Sequence, residues 1–528
     1  MSSKVWFWKV RPREFEVGTV GLDQVAQDSE HSQPPTSPIW ISVYPGRKRA
    51  MVGILTSKDQ DINTDQLTPR FLQWWSAPGG PGGLLALALP LMLSAGFVSI
   101  TLFTDRTLLF WHSETSVAAA MGGGALYWSI ICFPMGMLGY ISTFVSQYRG
   151  AGQESRVGAA YQHAIMLAWI FVPVMLFAIW IADDIFRWSD HSEKLVELEA
   201  QYLRILLFGG IGVLFYSVQS GLLTGQERTG TVLAVDAAGT VLNLVLDFLL
   251  IFGCGPIPEM GLSGAAIATA ASFWLKIPIA MWLLRRDTGL WKQYELGIWH
   301  AWEPSTLRRL FVYGGPAGLQ LLAEAGCFSV IMLQVGNLGE LEMAATTLAL
   351  GLNVLAFVPM IGLGIGLGVL VGQRVTEGRL DLAKRTVRSA LVVTLLYTSA
   401  FALYLGLAPE QVILVYSWGT SVERFEQIRP MLIPLLRIIA VYCVLDGLQV
   451  VFVGAIKGAG DTWYVLLATI LVSAGAVIAG IMCQEYLGPS LMLWWYVVAG
   501  WVTAMGIAFG SRYVSGRWET KRVIERFD

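Results

Sequence analysis

The chain is predicted to be an all-α polytopic membrane protein, with twelve transmembrane helices in two pseudo-symmetric six-helix lobes. Composition is the first observation behind this: 55% of the 528 residues are hydrophobic and 14% charged, with a mean hydropathy of +0.57, far more apolar than an average soluble domain. The second is a series of almost uncharged windows of about twenty residues, each long enough to cross roughly 30 Å of hydrocarbon at about 1.5 Å per residue. They centre near residues 95, 131, 172, 213, 242, 272, 323, 357, 398, 443, 473 and 499. Backbone facing lipid must satisfy its own hydrogen bonds, so these windows are read as helices. The third is a likeness between the two halves.

Residues 1–76 precede the first window and are read as a cytoplasmic N-terminal extension. They are polar and charged, carry QPPTSP at 33–38, and lack the basic start, apolar run and small-residue cleavage site of a signal peptide. This composition suits a flexible segment. Met51 opens a shorter stretch leading directly to the membrane, so part of the extension is a candidate for a misassigned start.

The net charge of -2 says little by itself, but the placement of the cations is lopsided. Connections after even-numbered spans, together with the tail, carry about nineteen of the 36 Lys and Arg, among them Arg149, Arg156, Arg285, Arg286, Arg308, Arg309, Arg374, Lys384, Arg385, Lys457, Arg512 and Lys521. The intervening connections carry few, and 183–199 is mainly acidic. The positive-inside rule therefore places both termini in the cytoplasm, with odd helices running outward. Trp pairs such as Trp74 and Trp75, or Trp494 and Trp495, fall near span ends and read as an interfacial belt.

Near position 90 the chain reads ALPLMLSAG and near 316 GGPAGLQLL; Pro90 and Pro316, Gln147 and Gln373, and Gly152 and Gly378 are each 226 apart. LRILLFGG from 203 meets LRIIAVYC from 436, and GLLTGQERT from 221 meets GAIKGAGDT from 454, at a spacing of 233. Six helices have been duplicated, giving lobes at 77–302 and 303–528. An even number of spans preserves orientation, so the repeats are parallel and substrate is expected between them.

The acidic residues inside the spans do not follow this repeat. Asp105, Asp247, Glu324 and Asp446 have Ile331, Gly480, Val98 and Val213 at the matching offsets. Since a charge at the bilayer centre costs about 2.5–3.5 kcal/mol on insertion scales, each is a functional candidate. Span depth groups Asp105, Asn243, Asp247 and Thr269 in one outer layer. Asn243 and Asp247, four apart on the fifth helix, share a face about 6 Å apart along its axis. Two carboxylates, an amide oxygen and a hydroxyl form a hard-oxygen site for H⁺ or Na⁺. Glu324 and Asp446 fall near the middle of the seventh and tenth helices. Tyr442 is four residues before Asp446, so its ring is expected on the carboxylate's face, where it could hold an organic cation. Lys276, seven residues after Thr269, is a candidate cavity counter-charge. Arg204 and Arg437, at matching repeat positions, are read as structural.

Other chemistry is not indicated. The five cysteines are scattered, with no CxxC and no clustered histidines, so neither a disulfide framework nor a zinc site is expected. No Ser/His or His/Asp cluster suggests an enzyme. GLGIGLGVLVG from 362 imitates a phosphate loop, but it lies in an apolar span without GK[ST], so close helix packing is the better reading.

LTGQERTGTVLAVDAAGTVLNLVLDFLLIFG with GLSGAAIATAAS, LLAEAGCF on the seventh helix, and DGLQVVFVGAIKGAGDT on the tenth together resemble the MATE (multidrug and toxic compound extrusion) transporters of the MOP flippase superfamily, over roughly residues 77–515. The resemblance implies two lobes in a V that alternate between inward-open and outward-open forms, expelling organic cations or drugs against entering H⁺ or Na⁺. It further implies an ion-coupling site at Asp105, Asn243, Asp247 and Thr269, a bending proline at Pro90, and a substrate or ion site at Glu324, Tyr442 and Asp446. TDRTLLFW departs from the family's usual small residues and glycine after the helix-one aspartate. The expected setting is a bacterial inner membrane, with a monomer acting on small cationic substrates, without nucleic acid, cofactor or metal other than Na⁺. A lipid-linked sugar flippase is the alternative, but its anionic cargo calls for cavity Arg and Lys rather than four carboxylates.

Overall fold

A computed structural model describes residues 5–10, 15–20, 70–188, 192–411, 413 and 422–525. Within the N-terminal extension, Val5–Val10 (β1) pairs antiparallel with Phe15–Val20 (β2), Val5 opposite Val20 and Val10 opposite Phe15. The aromatic and β-branched residues that make up most of VWFWKV suit a strand. The rest of the extension up to residue 69 lies outside the described residues.

Trp75–Asp528 forms one compact unit. Among the described residues it contains twelve helices long and apolar enough to cross a membrane: α1 Pro81–His112, α2 Thr115–Gly150, α3 Arg156–Trp180, α4 Glu193–Gly225, α5 Thr229–Phe252, α6 Gly261–Arg286, α7 Pro304–Gly336, α8 Ala356–Thr376, α9 Leu380–Leu407, α10 Glu426–Ala459, α11 Thr462–Leu487 and α12 Leu491–Val514. Pro90 lies inside α1. Large apolar side chains such as Phe103, Trp169, Phe177, Leu396 and Leu471 point outward, as lipid-facing groups should.

The duplication reaches the backbone. Gly152 and Gly378, 226 apart, take φ of +70° and +75° in the turns after α2 and α8. Glu227 and Gly460, 233 apart, take φ of 62° and 105° after α4 and α10. The first half uses a non-glycine residue in this left-handed position, and Glu227 is tied down there by Arg149 (3.3 Å).

The two lobes interlock at one end of the bundle, here called the terminal end because α1 begins and α12 finishes there. Leu84, Leu87 and Ala88 of α1 belong to a core made otherwise from α8, α9, α10, α11, α12 and the tail. Reciprocally, Leu310 and Ala317 of α7 pack into the core of the first lobe. These crossings need glycine: a Cβ on Gly318 would strike the Phe133 carbonyl, and one on Gly362 would strike the Met92 backbone. In the glycine-rich stretch from 362, Gly364 and Gly368 lie against Gly454 and Gly458 of α10, which is the close packing expected of that sequence.

The terminal end is also hydrogen-bonded across the lobes. Tyr140 donates to the Lys457 carbonyl (2.6 Å). The Gln147 amide donates to the carbonyls of Gly458 (2.9 Å) and Ala459 (3.3 Å), while its oxygen accepts from the Val523 backbone (2.9 Å). The tail beyond α12 is thus part of the seam, with Trp518 and Val523 buried and Glu525 paired to Arg309.

Candidate functional site

Three helices of the first lobe bring Asp105, Asn243, Asp247 and Thr269 together. Asp105 comes from late in α1, Asn243 and Asp247 from one face of α5, and Thr269 from early in α6, so all four lie toward the end opposite the terminal one. The Thr269 hydroxyl donates to Asp105 Oδ2 (3.2 Å), and Asn243 Nδ2 donates to the Thr269 hydroxyl (3.3 Å). The carboxyl groups of Asp105 and Asp247 lie within hydrogen-bonding reach of each other. Asp247 and Asn243 are 0% exposed and Asp105 is 5% exposed.

Oxygens are in surplus here. Asp105 Oδ1, Asn243 Oδ1 and both Asp247 oxygens are buried without a hydrogen-bond donor. Buried oxygens normally have donors, and buried anions normally have counter-charges. A proton shared between the carboxylates, or a small cation among the four oxygens, would satisfy this arrangement. Tyr202 of α4 also lies in the electrostatic reach of both aspartates. Its identity carries no sequence signal, because a buried tyrosine in an apolar span reads as core.

Lys276 occupies a different role from a free cavity charge. Its ammonium is 3.0 Å from Asp236 Oδ1, with both side chains almost buried, and it lies over the rings of Tyr216 (5.3 Å) and Phe273 (5.6 Å). Asp236 also accepts from Tyr216 (2.8 Å) and from Ser94. Lys276 is therefore engaged inside the first lobe by α5. Asp236 was the missing partner in the sequence reading, although its spacing of seven and eleven residues from Asn243 and Asp247 places it on the same helical face. Arg204 binds the Ile179 carbonyl (3.4 Å) and pairs with Asp183, a structural arrangement at the far end.

The second lobe is built differently. Glu324 accepts from Gln320, one turn earlier on α7 (2.9 Å). Glu324 and Asp446 are half-buried and close enough to feel one another's charge, and Lys457 of α10 acts on Glu324 in the same way. Lys457 had counted only as a basic residue of the terminal end. Tyr442 lies in the electrostatic reach of Asp446, but it is 2% exposed and belongs to the buried core of the second lobe. In this conformation the expected aromatic face is covered, because α10 turns Tyr442 into the lobe core.

The MatE family model matches residues 90–249 and again 316–481, two copies that coincide with the internal repeat. Solved structures share the fold. A MOP superfamily transporter from Pyrococcus furiosus superposes with a TM-score of 0.74 at 22% identity, covering 85% of this chain and 99% of that one. A MATE protein solved in complex with MaD3S gives 0.74 at 22%, covering 85% and 98%. A multidrug resistance MATE family transporter in an outward-facing conformation gives 0.73 at 21%, covering 86% and 99%. With two family repeats spanning most of its membrane region, and the same fold as these proteins over nearly their full length, the chain belongs to the MATE family and is a transporter rather than an enzyme.

Proposed function

We propose that this transporter is a secondary antiporter, exporting organic cations in exchange for H⁺ or Na⁺ by alternating access of its two lobes. The observation that carries this is the buried, donor-poor set of oxygens at Asp105, Asn243 and Asp247. Such a site has a large differential affinity for a proton or Na⁺ between a wet and a dry state, and that difference is what couples an ion to a conformational change. Pro90 on α1 is the natural place for the helix to bend as the site opens and closes, since its ring removes a helical N–H donor. Glu324 and Asp446 supply negative charge for the cationic cargo. An anionic, lipid-linked cargo fits less well: Lys276 is neutralised by Asp236 and Arg204 by Asp183.

The basic terminal end faces the cytoplasm on this reading, and the lobe interlock there corresponds to a transporter closed on the cytoplasmic side. A cysteine at Ser192, in the acidic connection at the opposite end, should react with an impermeant reagent in intact cells; labelling only after lysis would invert the topology. The transport reading is tested in proteoliposomes with a pH gradient and a Na⁺ gradient imposed separately. Uphill accumulation of tetraethylammonium under at least one gradient is expected, and accumulation under neither contradicts antiport.

A further inference from the structure

We propose that Asp236 and Lys276 form the inner proton-transfer station of the first lobe, handing the coupling proton from the Asp105/Asp247 pair toward the terminal end. This inference rests on the antiport reading and commits it to H⁺.

The polar residues of α5 form a line. Asp236, Thr240, Asn243 and Asp247 are spaced by four, three and four residues, which is one face of a helix, and the first and last are about 16 Å apart along the axis. The facing polar groups of α1, Ser94, Thr101 and Asp105, are spaced by seven and four. The two series are joined rung by rung. Ser94 donates to Asp236, Thr101 donates to the Thr240 hydroxyl (3.4 Å), and Asp105 meets Asn243 through Thr269. A simple interhelical pin would need one rung. This series instead places hydroxyl or carboxyl oxygens at each turn between the buried carboxylate pair and a second carboxylate nearer the terminal end.

The lower end is equipped to exchange a proton without leaving a net charge behind. The groups facing Asp236 are Ser94 from α1, Tyr216 from α4 and Lys276 from α6. The O–H bond of Asp247 breaks, and its proton passes through the Thr240 and Thr101 hydroxyls and intervening water to form an O–H bond on Asp236. The ammonium of Lys276, now without its anion, releases one proton to water at the terminal side. Transfer of the Asp236 proton to the Lys276 amine restores the ion pair. The net result is one proton moved from Asp247 to the terminal side, with the station returned to its starting charges.

A buried ion pair can also be purely structural, so the test must separate the two roles. In proteoliposomes, tetraethylammonium uptake driven by a pH gradient is compared with tetraethylammonium counterflow, which needs no net proton movement. Asp236→Asn/Lys276→Met removes both charges together and so avoids stranding one of them. This double variant should keep counterflow within about twofold of the parent and lose at least about tenfold of driven uptake, roughly 1.4 kcal/mol of coupling. Lys276→Arg, which keeps a cation but resists giving up its proton, should lose driven uptake to a similar degree while its melting temperature stays near the parent's. The inference is overturned if the double variant retains parental driven uptake, or if counterflow and driven uptake fall together as for a structural pin. A parent driven by Na⁺ and not by a pH gradient also overturns it and leaves the antiport reading standing, whereas a parent driven by neither removes that reading.

Discussion

In the first lobe, Asp105 and Asp247 are 5% and 0% exposed, drawn from two helices onto one another and onto Thr269. In the second, Glu324 and Asp446 are half-buried, and the hydrogen bond that orients Glu324 comes from Gln320 of its own helix. The lobes arose from one six-helix unit, yet the acidic groups were placed independently, as the unmatched offsets of all four show. A fully buried carboxylate pair changes its energy steeply with protonation or cation binding, while Glu324 and Asp446 keep part of their surface open to whatever enters, with Glu324 in the electrostatic reach of Lys457. On the antiport reading proposed above, this difference corresponds to a division of labour, with the driving ion assigned to the first lobe and the attraction of cargo to the second.

The largest effect should come from the buried side. Asp247→Asn removes a charge that is costly to bury, so its membrane level and melting temperature should match or exceed the parent's, while uphill transport falls at least about tenfold. A variant that transports uphill at the parental rate would erase the proposed distinction between the lobes. On the half-buried side, Glu324→Gln or Asp446→Asn should raise the tetraethylammonium concentration for half-maximal transport by about three- to tenfold, or roughly 0.7–1.4 kcal/mol. Unchanged values in both single variants would leave the second lobe without a cargo role.

A third substitution probes the seam that both lobes share. Gln147 makes three buried hydrogen bonds across it, so Gln147→Ala should destabilise the interlocked form by about 1–3 kcal/mol. The melting temperature should fall, with cysteine pairs across the terminal end cross-linking less completely; an unchanged melting temperature would mean that the seam is held by the glycine crossings alone. The smallest effect is expected from deleting residues 1–50, which precede the unit Trp75–Asp528 in the chain. Transport should remain within about twofold, and loss of transport at normal membrane levels would assign the extension a role.

The twelve spans were legible because lipid imposes a length and a composition on any helix that crosses it. The duplication was legible because Gly152 and Gly378, and the turn at Glu227 and Gly460, need unusual backbone angles that constrain what residues can stand there. Asn243 and Asp247 could be put on one face from their spacing, and depth alone brought Asp105 and Thr269 to the same layer. Asp236 was readable by the same i, i+7 rule but is one carboxylate near a span end, where a charge is cheap and draws no notice. The exchange of α1 and α7 between lobe cores was not readable, since no periodicity in Leu84, Leu87 and Ala88 says which helices cover them. Tyr442 was less readable for a related reason: spacing fixes a helical face within about a turn, but neighbouring helices decide whether that face meets a cavity or, as in this conformation, a core.

The division of labour is tested most directly by the steady-state accumulation ratio, which reports coupling, rather than by an initial rate, which mixes coupling with affinity. Parent, Asp247→Asn and Glu324→Gln proteins are reconstituted at equal density, and the inside-to-outside ratio of tetraethylammonium is followed to its plateau under whichever ion gradient drives the parent. Glu324→Gln should approach the parental plateau more slowly, whereas Asp247→Asn should stop at equal concentrations on the two sides. A parental plateau in Asp247→Asn, or a collapsed plateau in Glu324→Gln, would contradict the assignment of the driving ion to the first lobe.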